Sequence, residues 1–228
     1  ILILFFCGIL RYYNKSILKN TKQLVTIVQP NIKQKNKWIL KNREQHLNNL
    51  LKLSIKNSDS FNDKNRIIIW PETSFEGSIP SETKLLSTIS KKIITNKNTT
   101  LILGLLRTDE NKVFNSLVFL NYKGDIIYNY DKIKLVPFGE YIPFREHFGA
   151  FTDFLAPKDF TSGKLKPNPT IIGFGNIITL ICYEILFTNE IFSRVSKNTN
   201  LLINITNDAW FGKTIGPYQH LALAKIKA

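Results

Sequence analysis

The sequence contains no methionine, only two cysteines and only three histidines in 228 residues. Cys7 and Cys182 lie far apart in unlike surroundings, so the chain does not read as a disulfide-stapled scaffold. There is no CxxC pair, and His46, His147 and His220 share no ligand spacing, so no metal site is expected. No G-x-G-x-x-G or Walker run occurs, which argues against a nucleotide site. No apolar run reaches the roughly 20 residues that cross a bilayer. Acidic residues are scarce as well, 17 against 31 Lys and Arg, for a net charge of +14. The lysines are interleaved with Asn and Ile rather than gathered into a stripe. No RNP, zinc-finger or helix-turn-helix signature accompanies them, so no nucleic-acid partner is expected. A general Lys/Asn/Ile bias accounts for the charge, with attraction to an anionic membrane surface as the alternative.

With no methionine at position 1, the chain is expected to be a piece of a longer protein. Residues 1–10 (ILILFFCGIL) are apolar throughout and are followed by Arg11-Tyr12-Tyr13 and Lys15. That order suits the last half of a membrane-spanning helix with interfacial anchors. A buried element or a signal-peptide core is the alternative. The expected division is a membrane segment and linker over 1–20 and one catalytic domain over 21–228. The last residues, 221–228, read as a helix with no cap after it.

The composition is 43% hydrophobic and 12% aromatic, enough to bury a substantial core. Apolar runs at 24–28, 66–70, 101–105, 113–120, 125–130, 171–174, 176–181 and 201–205 read as strands. Residues 121–124 (NYKG) are a hairpin turn. Amphipathic helices are expected over 37–55, 82–94 and 189–197. Strands alternating with helices, with one internal hairpin, indicate an α/β protein with a mixed sheet arrangement. Residues 141–169 are rich in Phe, Pro and Gly and have no clean period. They read as a long functional loop.

Three polar residues follow the ends of apolar strands: Glu72, Lys132 and Cys182. Singly they read as a turn cap, a solvated lysine and a buried thiol. Together they have a chemistry. A thiol needs a base, and with no histidine near a comparable strand end a carboxylate of raised pKa is the available one. A fixed lysine can hold a thiolate or an oxyanion, and the backbone N–H of Tyr183 can add a second donor.

The runs Gln29-Pro30-Asn31-Ile32, Lys37-Trp38, Trp70-Pro71-Glu72, Phe114-Asn115-Ser116, LVPFGEYIP from Leu135, Ile181-Cys182-Tyr183-Glu184 and Asn207-Asp208-Ala209-Trp210-Phe211-Gly212, with Gly216-Pro217 and Gln219-His220 behind, occur in one order. In that order they resemble the nitrilase, or carbon–nitrogen hydrolase, superfamily, and most closely its lipoprotein-acylating branch. The resemblance implies a nitrilase-like α-β-β-α sandwich with no metal and no cofactor. It implies Glu72 as general base, Lys132 rather than Lys134 as the oxyanion lysine, and Cys182 as nucleophile. Glu140 would orient the lysine and base, Tyr183 and Glu184 would support the nucleophile, and Trp38 and Asn115 would bind substrate near the mouth of the site.

The activity so implied moves the sn-1 acyl chain of a phospholipid through a thioester on Cys182 to the N-terminal diacylglyceryl-cysteine of a bacterial apolipoprotein. The implied place is the inner membrane, with the domain on its periplasmic face. A soluble amidase or nitrilase with the same triad is the alternative, and a lipid-surface binding domain is the non-enzymatic one.

Overall fold

A computed structural model describes residues 2–13, 23–55, 64–74, 77–94, 96–148 and 159–227. Strands β1 (Gln23–Ile27), β2 (Asn65–Ile69), β3 (Ser78–Ile79), β4 (Thr99–Asp109), β5 (Lys112–Leu120) and β6 (Ile126–Asp131) make one sheet, in the order β1-β2-β4-β5-β6 with β3 beside β4. β1, β2 and β4 are parallel, whereas β4-β5-β6 form an antiparallel meander. Strands β7 (Thr170–Ile171), β8 (Gly175–Ile181) and β9 (Thr199–Ile205) make a second sheet, with β8 and β9 parallel.

The continuous apolar runs have a physical cause. Side chains alternate between the faces of a strand, and here both faces are covered, so both must be apolar. Ile68, Leu101, Leu103 and Val118 pack against Leu50, Leu86, Ile89 and Ile93 of the helices Arg43–Ile55 and Thr83–Ile93. Their neighbours Ile67, Ile102, Leu117 and Phe119 point the other way and meet Ile177, Ile181, Ile203 and Ile205 of the second sheet. On the outer face of that sheet, Ile178 and Leu180 pack with Ile185, Ile191 and Ala224, the last from the helix Gly216–Lys227. The result is a helix–sheet–sheet–helix sandwich.

Several elements differ from the sequence reading. The helix expected over 37–55 is broken into Gln34–Lys37, a 3-10 turn Leu40–Asn42 and Arg43–Ile55. The break at Trp38 and Ile39 lets Lys37 turn inward to Thr73 while Leu50 and Leu51 pack on the sheet. The strand expected at 171–174 shortens to Thr170–Ile171, because Gly173 (φ +82) and Gly175 (φ +75) form the turn into β8. β4 continues past residue 105 to Asp109, where pairing with β5 overrides its polar sequence. The last helix starts at Gly216, earlier than expected.

The apolar N-terminal stretch is a helix, Leu2–Tyr13, with Leu2, Ile3, Phe5, Phe6 and Leu10 exposed. No described helix is long and apolar enough to cross a membrane. The expected linker at 14–20 and the aromatics Phe151 and Phe154 of the expected loop lie outside the described residues.

Candidate active site

The three residues singled out from strand ends converge where the two sheets meet. Glu72 follows β2, Lys132 follows β6, and Cys182 follows β8. Glu72 is buried, in a tight turn laid along β4. Ser74 N–H donates to the Gly104 carbonyl (2.8 Å), and Gly104 N–H donates to the Pro71 carbonyl (3.2 Å). A Cβ at Gly104 would sit 2.6 Å from the Glu72 Cα, so only glycine lets the strand pass this close. Thr73 takes φ +42, and the buried Lys37 holds the turn by donating to Thr73 Oγ1 (2.6 Å) and to the Glu72 carbonyl (3.4 Å).

Lys132 is 1% exposed and faces two carboxylates. Its Nζ lies 2.9 Å from Glu140 Oε2, 3.0 Å from Glu140 Oε1 and 3.8 Å from Glu72 Oε1. Asn115 joins the two acids: its Nδ2 donates to Glu72 Oε1 (2.7 Å) and to Glu140 Oε1 (2.9 Å). Two acceptors on one side fix which end of this amide is the nitrogen. The second oxygen of Glu72 accepts from the main-chain N–H of Asn207 (2.9 Å), and that of Glu140 accepts from Val136 N–H (2.8 Å). The turn of the LVPFGE run, with Glu140 N–H bonded to the Val136 carbonyl, aims this carboxylate.

Cys182 begins a 3-10 turn with φ +53, a left-handed conformation unusual for a residue with a side chain. Such an elbow lifts the thiol out of the strand. Glu184, two residues on, is buried and accepts four hydrogen bonds. The donors are Tyr130 OH (2.8 Å), Ile133 N–H (2.7 Å), Lys134 N–H (3.2 Å) and Ile181 N–H (2.8 Å). It ties the segment after Lys132 to the end of β8, so the lysine and the cysteine are held by one carboxylate.

The electrostatics favour a neutral thiol at rest over a standing thiolate. Burial pushes the Cys182 thiol up to about 12, and the neighbouring Glu72 charge adds to this. Lys132 and a hydrogen bond with Thr206 pull the other way. Burial also raises Glu72 above the usual carboxylate value, against the opposing pull of Lys132 and the bond from Asn115. Burial disfavours the charge on Lys132, but the Glu72 and Glu140 carboxylates outweigh it and raise its pKa, so the ammonium stays protonated. The cluster can therefore move one proton from sulfur to carboxylate beside a fixed cation.

The remaining expectations fall in different places. Asn115, expected near the mouth, is 2% exposed and bridges the two acids inside the cluster. Trp38 is half-exposed beside Lys37. Tyr183 stacks edge-on against Phe187. Lys134, the lysine set aside on sequence, pairs with Glu190 (2.7 Å) on the outside. Thr206, Asn207 and Lys37 were not assigned roles from sequence. The first two follow β9 directly, the same strand-end position that marked Glu72 and Cys182. A cavity of about 520 Å³ opens on Glu72, lined also by Asn31, Lys37, Thr206, Asn207, Asp208 and Leu221.

Residues 24–228 match the carbon-nitrogen hydrolase family model. The chain is 34% identical over 224 residues to the apolipoprotein N-acyltransferase of Rhizobium leguminosarum, covering 94% of this chain and 41% of that protein. It is 31% identical to the apolipoprotein N-acyltransferase of Vibrio cholerae, covering 90% of this chain and again 41% of the relative. The chain thus spans about two fifths of the length of these curated relatives. Among solved structures, Nit3 of Saccharomyces cerevisiae, a member of the nitrilase superfamily, superposes with a TM-score of 0.57 at 16% identity, covering 82% of this chain and 66% of Nit3. An amidase from Nesterenkonia sp. AN1 superposes with a TM-score of 0.57 at 14% identity, covering 91% of this chain and 73% of the amidase.

Proposed function

Because the chain belongs to the carbon–nitrogen hydrolase family, we propose that it is the catalytic domain of an apolipoprotein N-acyltransferase working through Glu72, Lys132 and Cys182. The observation that carries this is the buried Glu72–Lys132–Glu140 cluster beside a cysteine on a left-handed elbow. The similarity to named acyltransferases over nearly the whole chain supports the choice of reaction.

In the first half-reaction Cys182 Sγ attacks the sn-1 ester carbonyl of a phospholipid while its proton passes to Glu72. The new oxyanion is met by the Lys132 ammonium and the Tyr183 N–H. The C–O bond breaks, Glu72 returns the proton to the departing alkoxide, and lysophospholipid leaves a thioester on Cys182. In the second half, the free α-amine of a diacylglyceryl-cysteine attacks the thioester carbonyl and gives its proton to Glu72. The C–S bond breaks, the amide forms, and the proton returns to sulfur. Glu140 and Asn115 are positioning residues that keep Lys132 and Glu72 in line. No cofactor enters this sequence of steps.

The exposed aromatics support lipid substrates. Phe138 and Phe144 flank Glu140, and Trp210 and Phe211 follow Asp208 at the cavity. Aromatic rings of this kind suit a bilayer surface. The setting we propose is the periplasmic face of the inner membrane, with a phospholipid as donor and a lipoprotein as acceptor. The test is to supply phospholipid together with a diacylglyceryl-peptide in mixed micelles. Transfer of the acyl chain to the peptide amine supports the reading. Release of free fatty acid or amide hydrolysis without transfer overturns it in favour of a hydrolase.

A further inference from the structure

One pair beside the nucleophile takes no part in these steps. His220, on the helix Gly216–Lys227, puts Nδ1 2.8 Å and 3.1 Å from the two carboxylate oxygens of Asp208. Its Nε2 lies 3.1 Å from the main-chain carbonyl oxygen of Cys182. Both partners are acceptors: neither an ionised carboxylate nor a carbonyl has a proton to give. A neutral imidazole carries one N–H and satisfies only one of them. Both contacts together require N–H on both nitrogens.

The carbonyl so held belongs to the strained residue. A non-glycine left-handed conformation is strained and persists only where its surroundings over-determine it. Here the Cys182 carbonyl has two donors, His220 and Asn204 Nδ2 (3.3 Å). The thiol, the Asp208 carboxylate and the His220 ring also converge, with their heteroatoms within 4.8 Å of one another.

We propose that His220 is a positioning residue that clasps the nucleophile elbow as an imidazolium, and that the clasp opens when the ring loses a proton. The inference rests on reading Cys182 as the nucleophile. The groups facing the ring favour its charge from each side. The hydrogen bond to Asp208 raises the His220 pKa despite partial burial, and the Asp208 charge, the Cys182 carbonyl and Glu72 act in the same direction. Lys132, the neighbouring cation, is engaged by Glu72 and Glu140. On deprotonation Asp208 keeps the Nδ1 proton, and Nε2 turns a lone pair toward the carbonyl. One of the two donors on the elbow is lost, and so is a positive charge close to the sulfur.

Two measurements on the full chain test this without any acyl donor, so their failure is separate from failure of the acyltransferase reading. In nitrogen-15 spectra of the histidine rings, with His220 assigned by its absence in His220→Gln, both ring nitrogens are expected to be protonated at neutral pH. The midpoint should lie above the ~6.5 of an unperturbed histidine. A singly protonated ring at neutral pH overturns the proposal. In a Cys7→Ser background, Cys182 is alkylated with iodoacetamide across pH, and the modified peptide is quantified by mass. Below the thiol pKa a lone thiol gives a log-rate plot of unit slope. The wild-type plot is expected to fall below unit slope around the His220 midpoint, and the His220→Gln plot to lack that bend. Asp208→Asn should move the inflection to lower pH. Superimposable plots for all three proteins overturn the proposal.

Discussion

Replacing Glu72 by Gln separates base catalysis from thiol acidity, because the structure predicts opposite effects on the two. The substitution keeps the shape and removes one negative charge. Gln can still accept from the fixed Asn207 N–H, which turns its own NH2 toward Asn115. Asn115 cannot turn its Oδ1 to meet it without facing the Glu140 carboxylate, so one buried donor–donor contact remains. The stability cost is then at most that of one mismatched buried group, about 1–3 kcal/mol. Acyl transfer loses its base and should fall ~10²–10⁴-fold, which is roughly 3–5 kcal/mol of barrier. The thiol, however, loses a repulsive charge while keeping Lys132, so its pKa should move down from about 12. Alkylation of Cys182 at fixed alkaline pH should therefore be faster in E72Q than in wild type, although turnover is slower. The assay pairs acyl transfer with iodoacetamide labelling on the same preparations. If E72Q slows both by the same factor, Glu72 acts on the fold of the elbow rather than as a base, and the reasoning fails.

Other outcomes follow from the same geometry. Glu184→Ala leaves three main-chain N–H groups and the Tyr130 hydroxyl without their acceptor, and should cost about 3–5 kcal/mol in urea unfolding; a loss under ~1 kcal/mol would contradict the anchoring role. Lys132→Met should lower acyl transfer ~10²–10³-fold, while Lys134→Met, which breaks the outer pair with Glu190 and a contact over the Phe187 ring, should change it less than about threefold. Gly104→Ala drives a methyl into the Glu72 backbone and should depress turnover and stability together, whereas the same change at Gly8, where a Cβ meets nothing within 4 Å, should do neither. Glu72 also sets a pH dependence. Burial raises its folded pKa above the ordinary carboxylate value, so its contribution to stability is greatest below that ordinary value and is lost as pH rises through the folded pKa. E72Q should therefore gain stability relative to wild type over that window in thermal melts.

The strands were legible because the two-sided burial of both sheets makes them apolar without a break, as in Ile67-Ile68-Ile69 and Ile177-Ile178. Glu72, Lys132 and Cys182 could be singled out because each comes within three residues of a strand's end and each falls in a run that resembles the family's. What the sequence did not reveal has local causes. The broken helix at Trp38 depends on Lys37 reaching Thr73, a contact across 36 positions. Asn115 sits mid-strand, where nothing local marks it as the bridge between Glu72 and Glu140. Asn207 acts through its main-chain N–H, which no side chain advertises. His220 lies 38 residues from the carbonyl that it holds, and only the fold of the last helix against the elbow brings them together.

The most direct measurement is the mass of the Cys182 peptide after the chain meets phospholipid in mixed micelles with no amine acceptor present. With the reaction stopped by acid, the peptide should gain one acyl group at Cys182, and neutral hydroxylamine should remove it as expected of a thioester. Cys182→Ala should give no modified peptide and no transfer. An unmodified Cys182 in a preparation that still transfers acyl chains to the diacylglyceryl-peptide would contradict covalent catalysis at this cysteine.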